Sequence, residues 1–278
     1  MQILIFMPIA LAAVGILFHW LSFRRSSYAR MTGSGWLSTI WNAGRNGEYL
    51  LWRELRRFEK RGGRFLINCY IPKGGDETTE IDLLMLTEAG IFVFESKNYG
   101  GWIFGSDRSS YWTQTLPAGR RVRKEKFFNP ILQNDLHIRH LRELLDEEIP
   151  MHSVVVFSPR CELKRLDIER DDVTVVRRSE LRRTIGRLSR LTRNALTPEQ
   201  IDEIFQLLYP YTQTDPSVKR KHIADIRAHH KPSHGSGVCP RCGGALVLRT
   251  VKQGERRGER FLGCENFPRC RYTEGLGD

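Results

Sequence analysis

Side chains suited to metal-assisted hydrolysis stand close together in Glu80-Ile81-Asp82-Leu83-Leu84-Met85-Leu86, a short turn, and Ile91-Phe92-Val93-Phe94-Glu95-Ser96-Lys97. With a strand period of two, Glu95 and Lys97 share the face that carries Ile91 and Val93, and Asp82 shares the face of Leu84 and Leu86 on the neighbouring strand. An acid and a lysine at the end of an apolar strand are costly to bury alone. Two carboxylates converging from adjacent strands offer the hard oxygen donors that Mg²⁺ or Mn²⁺ takes. A lysine beside them can orient or deprotonate water, or offset charge on a phosphorus-centred transition state. Glu48, in the first turn of an expected helix, is placed to complete the set. The same spacing fits a surface hairpin with a Glu-x-Lys ion pair, and the pattern alone leaves both readings open.

The second constellation is Cys239-Pro-Arg-Cys242 followed, after 21 residues, by Cys264-x5-Cys270. Two short loops that each donate two thiolates are the ligand set of a closed, tetrahedral structural Zn²⁺. A module of forty residues has too little core to fold without it. Cys69 and Cys161 stand apart in apolar or mixed sequence and read as ordinary free thiols. A secreted protein would be expected to pair all six cysteines instead.

The elements that must position these residues are legible in outline. Residues 44–59 read as a helix, with Leu51, Leu55 and Phe58 at helical spacing, and Gly62-Gly63 ends it. Arg64–Tyr70, Ile81–Thr87 and Ile91–Lys97 read as strands, the last two joined as a hairpin through Glu88-Ala89-Gly90. A second hairpin is expected around Trp102–Phe104 and Tyr111–Thr115. Asn129-Pro130 opens a helix running to Leu145, an N-cap residue followed by a proline at the first helical position. Ser153–Phe157 and Val173–Val176 read as buried strands. Ser179–Leu191 and Thr197–Tyr209 read as helices, the last with a capping signal in Thr197-Pro198-Glu199-Gln200. Between the second hairpin and the Asn129 helix lies a basic loop, Arg120 to Lys126, flanked by Tyr111, Trp112, Phe127 and Phe128. It is suited to phosphate contact and base stacking, or else is an exposed loop beside core aromatics. The whole is a mixed α/β domain of about 170 residues.

Four of these segments, taken in order, resemble the nuclease-related domain family of the PD-(D/E)xK nuclease superfamily. They are Gly44-Arg45-Asn46-Gly47-Glu48, Glu80-Ile81-Asp82, Phe94-Glu95-Ser96-Lys97-Asn98 with Gly100-Gly101, and Asn129-Pro130-Ile131-Leu132-Gln133. The resemblance covers roughly Ala43 to Val156. It implies a restriction-endonuclease-like mixed sheet flanked by helices, with Asp82 and Glu95 ligating a divalent metal and Glu48 assisting. Lys97 would position or activate water, and Gln133 would stand near the active site, unless it packs or caps instead. The superfamily's proline before the Asp is replaced here by Thr79-Glu80-Ile81. The cysteine module resembles the C-terminal zinc ribbons of type IA topoisomerases, which implies single-stranded DNA binding. It carries Arg249, Lys252, Arg256, Arg257 and Arg260, with Phe261, Phe267 and Tyr272, as a phosphate-and-stacking surface.

Length and composition agree with this organisation. The chain has 278 residues, and 40% are hydrophobic, enough for one full-size domain and a small second one and too apolar for wholesale disorder. No 20–50-residue repeat is present, which excludes solenoids. The net charge of +12 favours a polyanionic partner. Residues 211–238 and 239–278 each carry +3, so half of the excess sits in the last 68 residues.

Residues Ile3 to Leu21 contain no charge. At ~1.5 Å per residue they would span about 28 Å, the thickness of a bilayer core. Arg24, Arg25 and Arg30 follow and no basic residue precedes, so the positive-inside rule expects a single-pass inner-membrane anchor with the remainder in the cytoplasm. The expected order is an anchor (1–25), a linker (26–42), the nuclease-related domain (43–210), a basic linker with four histidines (211–238) and the ribbon (239–278). The function expected from these parts is a membrane-anchored, Mg²⁺- or Mn²⁺-dependent nuclease acting on DNA rather than RNA. A non-catalytic nucleic-acid-binding or protein-interaction protein tethered at the membrane is the alternative.

Overall fold

A computed structural model describes residues 2–74, 77–118, 121–145, 149–192, 194–213, 239, 246–251, 258–265, 267–268 and 270–275, with the side chains of residues 2–10, 74, 118, 121, 274 and 275 outside that set. The chain opens on α1 (Gln2–Arg24), two short helices, α2 (Ser27–Thr32) and α3 (Trp36–Trp41), and α4 (Ala43–Leu55). Three strands follow, β1 (Arg64–Gly74), β2 (Glu77–Thr87) and β3 (Gly90–Lys97), then β4 (Gly101–Ser106), β5 (Tyr111–Ala118) and β6 (Arg121–Phe128). Next come α5 (Pro130–Leu145), β7 (Met151–Phe157), β8 (Cys161–Asp167), β9 (Val173–Arg177), α6 (Leu181–Leu191) and α7 (Pro198–Leu208). The C-terminal module holds β10 (Leu246–Thr250), β11 (Arg260–Cys264) and β12 (Thr273–Gly275).

The main sheet has the order β1-β2-β3-β7-β9, with β1, β2 and β3 antiparallel and β3, β7 and β9 parallel. Both faces are covered. Phe65, Leu83, Met85, Phe92 and Phe94 pack under α4 and α6 through Leu51, Trp52, Leu55, Leu181 and Ile185. Leu66, Leu84, Leu86, Ile91 and Val93 pack under α5 and α7 through Leu141, Leu145, Ile201, Ile204 and Leu208. Burial on both faces is why β2 and β3 read as nearly continuous apolar runs rather than strict alternation. A second sheet, β6-β5-β4-β8, packs on β7 through Trp112, whose ring stacks on Phe157 at 5.9 Å. The third sheet, β10-β11-β12, is the antiparallel ribbon.

The start signals act as the sequence suggests. Asn129 is fully buried, and its Oδ1 accepts from the Ile131 amide at 2.9 Å while its Nδ2 donates to the Ser106 and Ser109 carbonyls. It thus caps α5 and ties the helix to the second sheet. Thr197 and Gln200 form a reciprocal capping box on α7.

Several expectations change. The helix expected over 44–59 stops at Leu55, and a 3₁₀ segment, Arg56–Arg61, completes it. The segment expected as a linker at 26–42 is packed: Tyr28 is fully buried, and Phe23, at the end of α1, lies against Tyr28 and Tyr49. The basic loop expected at Arg120–Lys126 is mostly strand β6, paired with β5 along its length (Arg120 lies outside the described residues). Trp112 and Phe127 are core residues rather than base-stacking ones, and the charges of β6 lie on the edge of a sheet, where they discourage strand addition. Strand β8, unanticipated because it reads Cys-Glu-Leu-Lys-Arg-Leu-Asp, pairs in parallel with β4.

The expected span Ile3–Leu21 lies within helical backbone, but among the described residues no helix is long and apolar enough to cross a membrane. The expected linker at 211–238, with its histidines, lies outside the described residues beyond Gln213.

Candidate active site and metal centre

Strand register builds the first half of the site. Leu83 pairs with Phe94 and Leu84 with Val93, and continuing that register sets Asp82 beside Glu95. Asp82 Oδ2 accepts from the Ser96 amide at 2.7 Å, so the carboxylate takes a backbone donor at the end of the ladder. Glu95 is 2% exposed, with Oε1 2.6 Å from Lys97 Nζ. Helix α5 supplies the second half. Gln133 Oε1 accepts from Lys97 Nζ at 2.9 Å, and one turn on, His137 Nε2 stands 3.3 Å from Glu95 Oε2. Thr79 Oγ1 lies 2.7 Å from His137 Nδ1. A carboxylate only accepts, so the ring nitrogen Nε2 carries a proton toward Glu95.

Helix α4 brings Glu48 to the same place. Asn42 Oδ1 caps it by accepting from the Arg45 amide at 3.0 Å. Gly47 lets the helix approach β3: a Cβ there would stand 2.9 Å from Asn98 Cβ. Glu48 is largely buried among Asn68, Tyr28 and Glu80, and its Oε2 has no hydrogen-bond partner among the described residues. Asn68 reaches it from a left-handed backbone conformation, φ 53°, inside β1.

The electrostatics follow from crowding. Burial, then the negative charge of Glu80, pushes the Glu48 carboxyl up to about 7. Burial, then Glu95 and Glu48, holds Asp82 well above the usual carboxylate range. Burial would raise Glu95 too, but Lys97 and His137 outweigh it and hold this carboxyl low. Burial would lower Lys97, but Glu95 outweighs it, so the ammonium is held protonated. Three acids, Glu95 buried and Glu48 and Asp82 half-buried, crowd around one lysine, and the Glu48 Oε2 lone pairs have no hydrogen-bond partner among the described residues. Both suit a hard divalent cation. The carboxylates of Glu48, Asp82 and Glu95 do not, however, close into one group of mutually adjacent donor atoms, as the cysteines of the ribbon do.

All the residues expected here, Glu48, Asp82, Glu95, Lys97 and Gln133, come together. His137, Thr79 and Asn68 were missed. For His137 the signal was its place four residues after Gln133 on one helix face. For Asn68 it was a polar, strand-disfavoured residue inside an apolar run.

In the ribbon, the Sγ atoms of Cys239, Cys264 and Cys270 lie within 4.8 Å of one another, with Cys239 and Cys270 3.7 Å apart. Zn–S bonds of ~2.3 Å around a tetrahedron require sulfur separations of about 3.8 Å, so these thiolates fit zinc. The fourth expected ligand, Cys242, lies outside the described residues, as do Lys252, Arg256 and Arg257. Cys69 and Cys161 are buried elsewhere, their thiols pushed by burial to about 12 and about 11, and take no part.

Arg249 differs from expectation. Its guanidinium donates to the Cys264 carbonyl at 3.1 Å and lies 5.6 Å from the centre of the Phe267 ring, so it braces the ribbon as well as facing solvent. Phe267 is exposed and lines a groove of about 360 Å³ with Phe261, Tyr272 and Arg271, while Arg260 is exposed outside that lining. Arg271 was missed, although it directly follows Cys270.

Comparison with known proteins agrees with both parts. Residues 43–158 match the nuclease-related domain, and residues 236–277 match the topoisomerase DNA binding C4 zinc finger. An uncharacterised protein of Bacillus anthracis is 31% identical over 180 residues, which are 65% of this chain and 82% of that protein. DNA topoisomerase 1 of Archaeoglobus fulgidus is 38% identical over 76 residues, 27% of this chain but 11% of the topoisomerase. DNA topoisomerase 1 of Methanocaldococcus jannaschii is 55% identical over 56 residues, 20% of this chain and 7% of that enzyme. No solved structure matches. The chain therefore belongs to the nuclease-related domain family and carries a topoisomerase-type C4 zinc ribbon.

Proposed function

We propose that the protein is a divalent-metal-dependent nuclease that hydrolyses phosphodiester bonds in DNA, with the ribbon holding a single-stranded part of the substrate. The observation that carries this reading is the convergence of Asp82, Glu95 and Lys97 where the end of β3 meets the middle of β2, with Gln133 and His137 holding the lysine and the glutamate in place. A structural hairpin has no need of a buried acid whose two oxygens are each assigned a separate cationic or N–H partner.

Asp82 and Glu95 would hold Mg²⁺ or Mn²⁺, with Glu48 in support. When bound, such a cation stabilises negative charge on the phosphate oxygens. The chain's own residues do the rest. Lys97 is held as an ammonium and offers N–H donors toward an attacking water or a phosphate oxygen, rather than acting as a base. Gln133 fixes the direction of that ammonium. His137, itself held by Thr79, keeps Glu95 Oε2 from swinging away. In the ribbon, exposed Phe267 with Arg260 suits base stacking and phosphate contact.

The expected experiment is a cleavage assay on single-stranded, duplex and branched DNA and on RNA. The wild-type chain should cut DNA with Mg²⁺ or Mn²⁺, and Asp82→Ala or Lys97→Ala should reduce cleavage by at least 10³-fold. Undiminished cleavage in both variants would sink the assignment of the site. Tight DNA binding without cleavage of any substrate would favour a non-catalytic binding protein instead.

The placement at the inner membrane, with the rest in the cytoplasm, is likewise a proposal. It rests on the uncharged run Ile3–Leu21 and the arginines after it. Recovery of the intact chain in the alkaline-washed soluble fraction would refute it.

A further inference from the structure

One cleft of the α/β domain lies away from the carboxylates. It has a volume of about 870 Å³ and lies between the 3₁₀ segment after α4, the β2–β3 turn and α6. Arg57, Arg61, Arg182, Arg183 and Arg190 line it, against one acid, Glu88. The arginines are mostly not consumed by the fold. Arg182 is paired with Glu54 at 2.7 Å, and Arg57 donates one N–H to the Arg182 carbonyl. Arg190 donates only to the Gly186 carbonyl, while Arg61 and Arg183 form no ion pair among the described residues. The four arginines other than Arg182 have no carboxylate partner among the described residues, and cations gathered on a concave surface repel one another unless an anion joins them.

A second observation points to a ligand independently of charge. Gly186 lines the cleft in the interior of α6, between Arg183 and Arg190. Interior glycine costs a helix roughly 1 kcal/mol against alanine. Nothing in the packing requires it: a Cβ built at Gly186 meets no atom within 4 Å. The absent side chain leaves open space on the floor of an arginine-lined cleft. Beside it, the buried Ser189 hydroxyl has no hydrogen-bond partner among the described residues.

We propose that this cleft binds consecutive phosphates of a nucleic-acid chain at a distance from the carboxylate–lysine site. The inference rests on the nuclease reading and adds a second anchor for the same substrate. Guanidinium forks engage phosphate oxygens in pairs, so arginine suits this role better than lysine. Thr87, at the cleft, stands five strand residues from Asp82. At ~3.3 Å per residue that is about 17 Å, the rise of roughly five nucleotides along a duplex. The cleft would therefore hold the substrate backbone well to one side of the cut.

The test is fluorescence anisotropy of a labelled 20-nucleotide single strand with the full chain, without added divalent cation so that nothing is cut. Gly186→Leu should fill the cleft and weaken binding at least tenfold. Its melting temperature should match or exceed the wild type, because the helix gains propensity, and this separates loss of binding from loss of fold. Arg183→Glu with Arg190→Glu should weaken binding similarly and lower the slope of log K against log salt by about two. Competition by inorganic triphosphate, relieved in Gly186→Leu, would also support the site, with free polyphosphate as a source of the same phosphates. Wild-type affinity and salt slope in all these variants would overturn the cleft while leaving the nuclease reading intact. So would variants that keep DNA affinity and lose binding to phosphatidylserine vesicles. Failure of the wild-type chain to bind DNA would overturn both.

Discussion

Asp82 and Glu95 are acids on paired strands, and burial works against the charge of each, yet their carboxyls shift in opposite directions. The difference lies in their partners: Glu95 has Lys97 and His137, whereas Asp82 has one amide and two acidic neighbours. Glu48 shows the consequence that is simplest to measure. Its folded carboxyl titrates at about 7, above an ordinary glutamate near 4.3. A raised value means that the folded state binds the proton more tightly, so the associated stability is full below the ordinary value and is lost as pH rises through about 7. Glu48→Gln should therefore stabilise the metal-free protein at pH 8, by on the order of 1–3 kcal/mol, and should change it little at pH 4. Thermal unfolding across that range checks the prediction, and a difference that does not vary with pH would contradict it. Adding Mg²⁺ should narrow the gap at pH 8 by giving the wild-type acids a counter-charge. At this scale the sequence was readable where strand parity fixes direction, as for Asp82, Glu95 and Lys97. It was less readable where contact depends on tertiary approach: the spacing of His137 from Gln133 puts both on one helix face but does not say that this face meets Glu95, and the turn of Asn68 toward Glu48 depends on a left-handed backbone.

The two glycines of the Gly44-Arg45-Asn46-Gly47-Glu48 segment look alike in sequence and differ in the folded helix. A Cβ at Gly44 would make an ordinary contact, 3.4 Å from Asn42 Oδ1, whereas one at Gly47 would meet Asn98 Cβ at 2.9 Å and Ser96 Oγ at 3.4 Å. Alanine at either position improves helix propensity. At Gly47 it must also push α4 away from the end of β3, taking Glu48 from its acidic neighbours. Gly47→Ala should therefore cut DNA cleavage at least tenfold with near-native thermal stability, while Gly44→Ala should retain cleavage and melt at or above the wild-type temperature. Equal activity in the two variants would show that the close approach does not position the site. The hairpin of β2 and β3, and helices α5 and α7, were legible because apolar period and capping residues agree there. Strands β6 and β8 were not, because their charged side chains sit on sheet edges and mimic loop composition. The helices within 26–42 were hidden in the same way: Gly33, Ser34 and Gly35 read as linker, but they separate two short helices, the first of which buries Tyr28.

Over the whole molecule the excess of +12 is divided rather than pooled. Half lies beyond residue 210, and within the α/β domain five arginines gather at one cleft while the proposed catalytic site is acidic. Catalysis and charge-based substrate holding are thus assigned to different surfaces, and the ribbon supplies one of the latter. The ribbon's own folding depends on metal. Among the described residues, its buried cluster consists of Cys239, Cys264 and Cys270, with Leu246 and Tyr272 packed against them. A module of forty residues buries too little apolar surface to offset the entropy of ordering its strands. Zinc binding must provide the difference, as structural zinc does elsewhere. Stripping zinc with a chelator, or Cys264→Ser, should make the chain beyond residue 238 sensitive to protease while the melting of residues 43–210 stays within a degree or two of native. DNA affinity should fall, and the salt dependence of binding should become shallower by the contacts that the ribbon makes. Metal analysis should find one zinc per chain in the intact protein. A ribbon that resists protease without zinc would mean that its strands are held by packing not provided by this cysteine cluster.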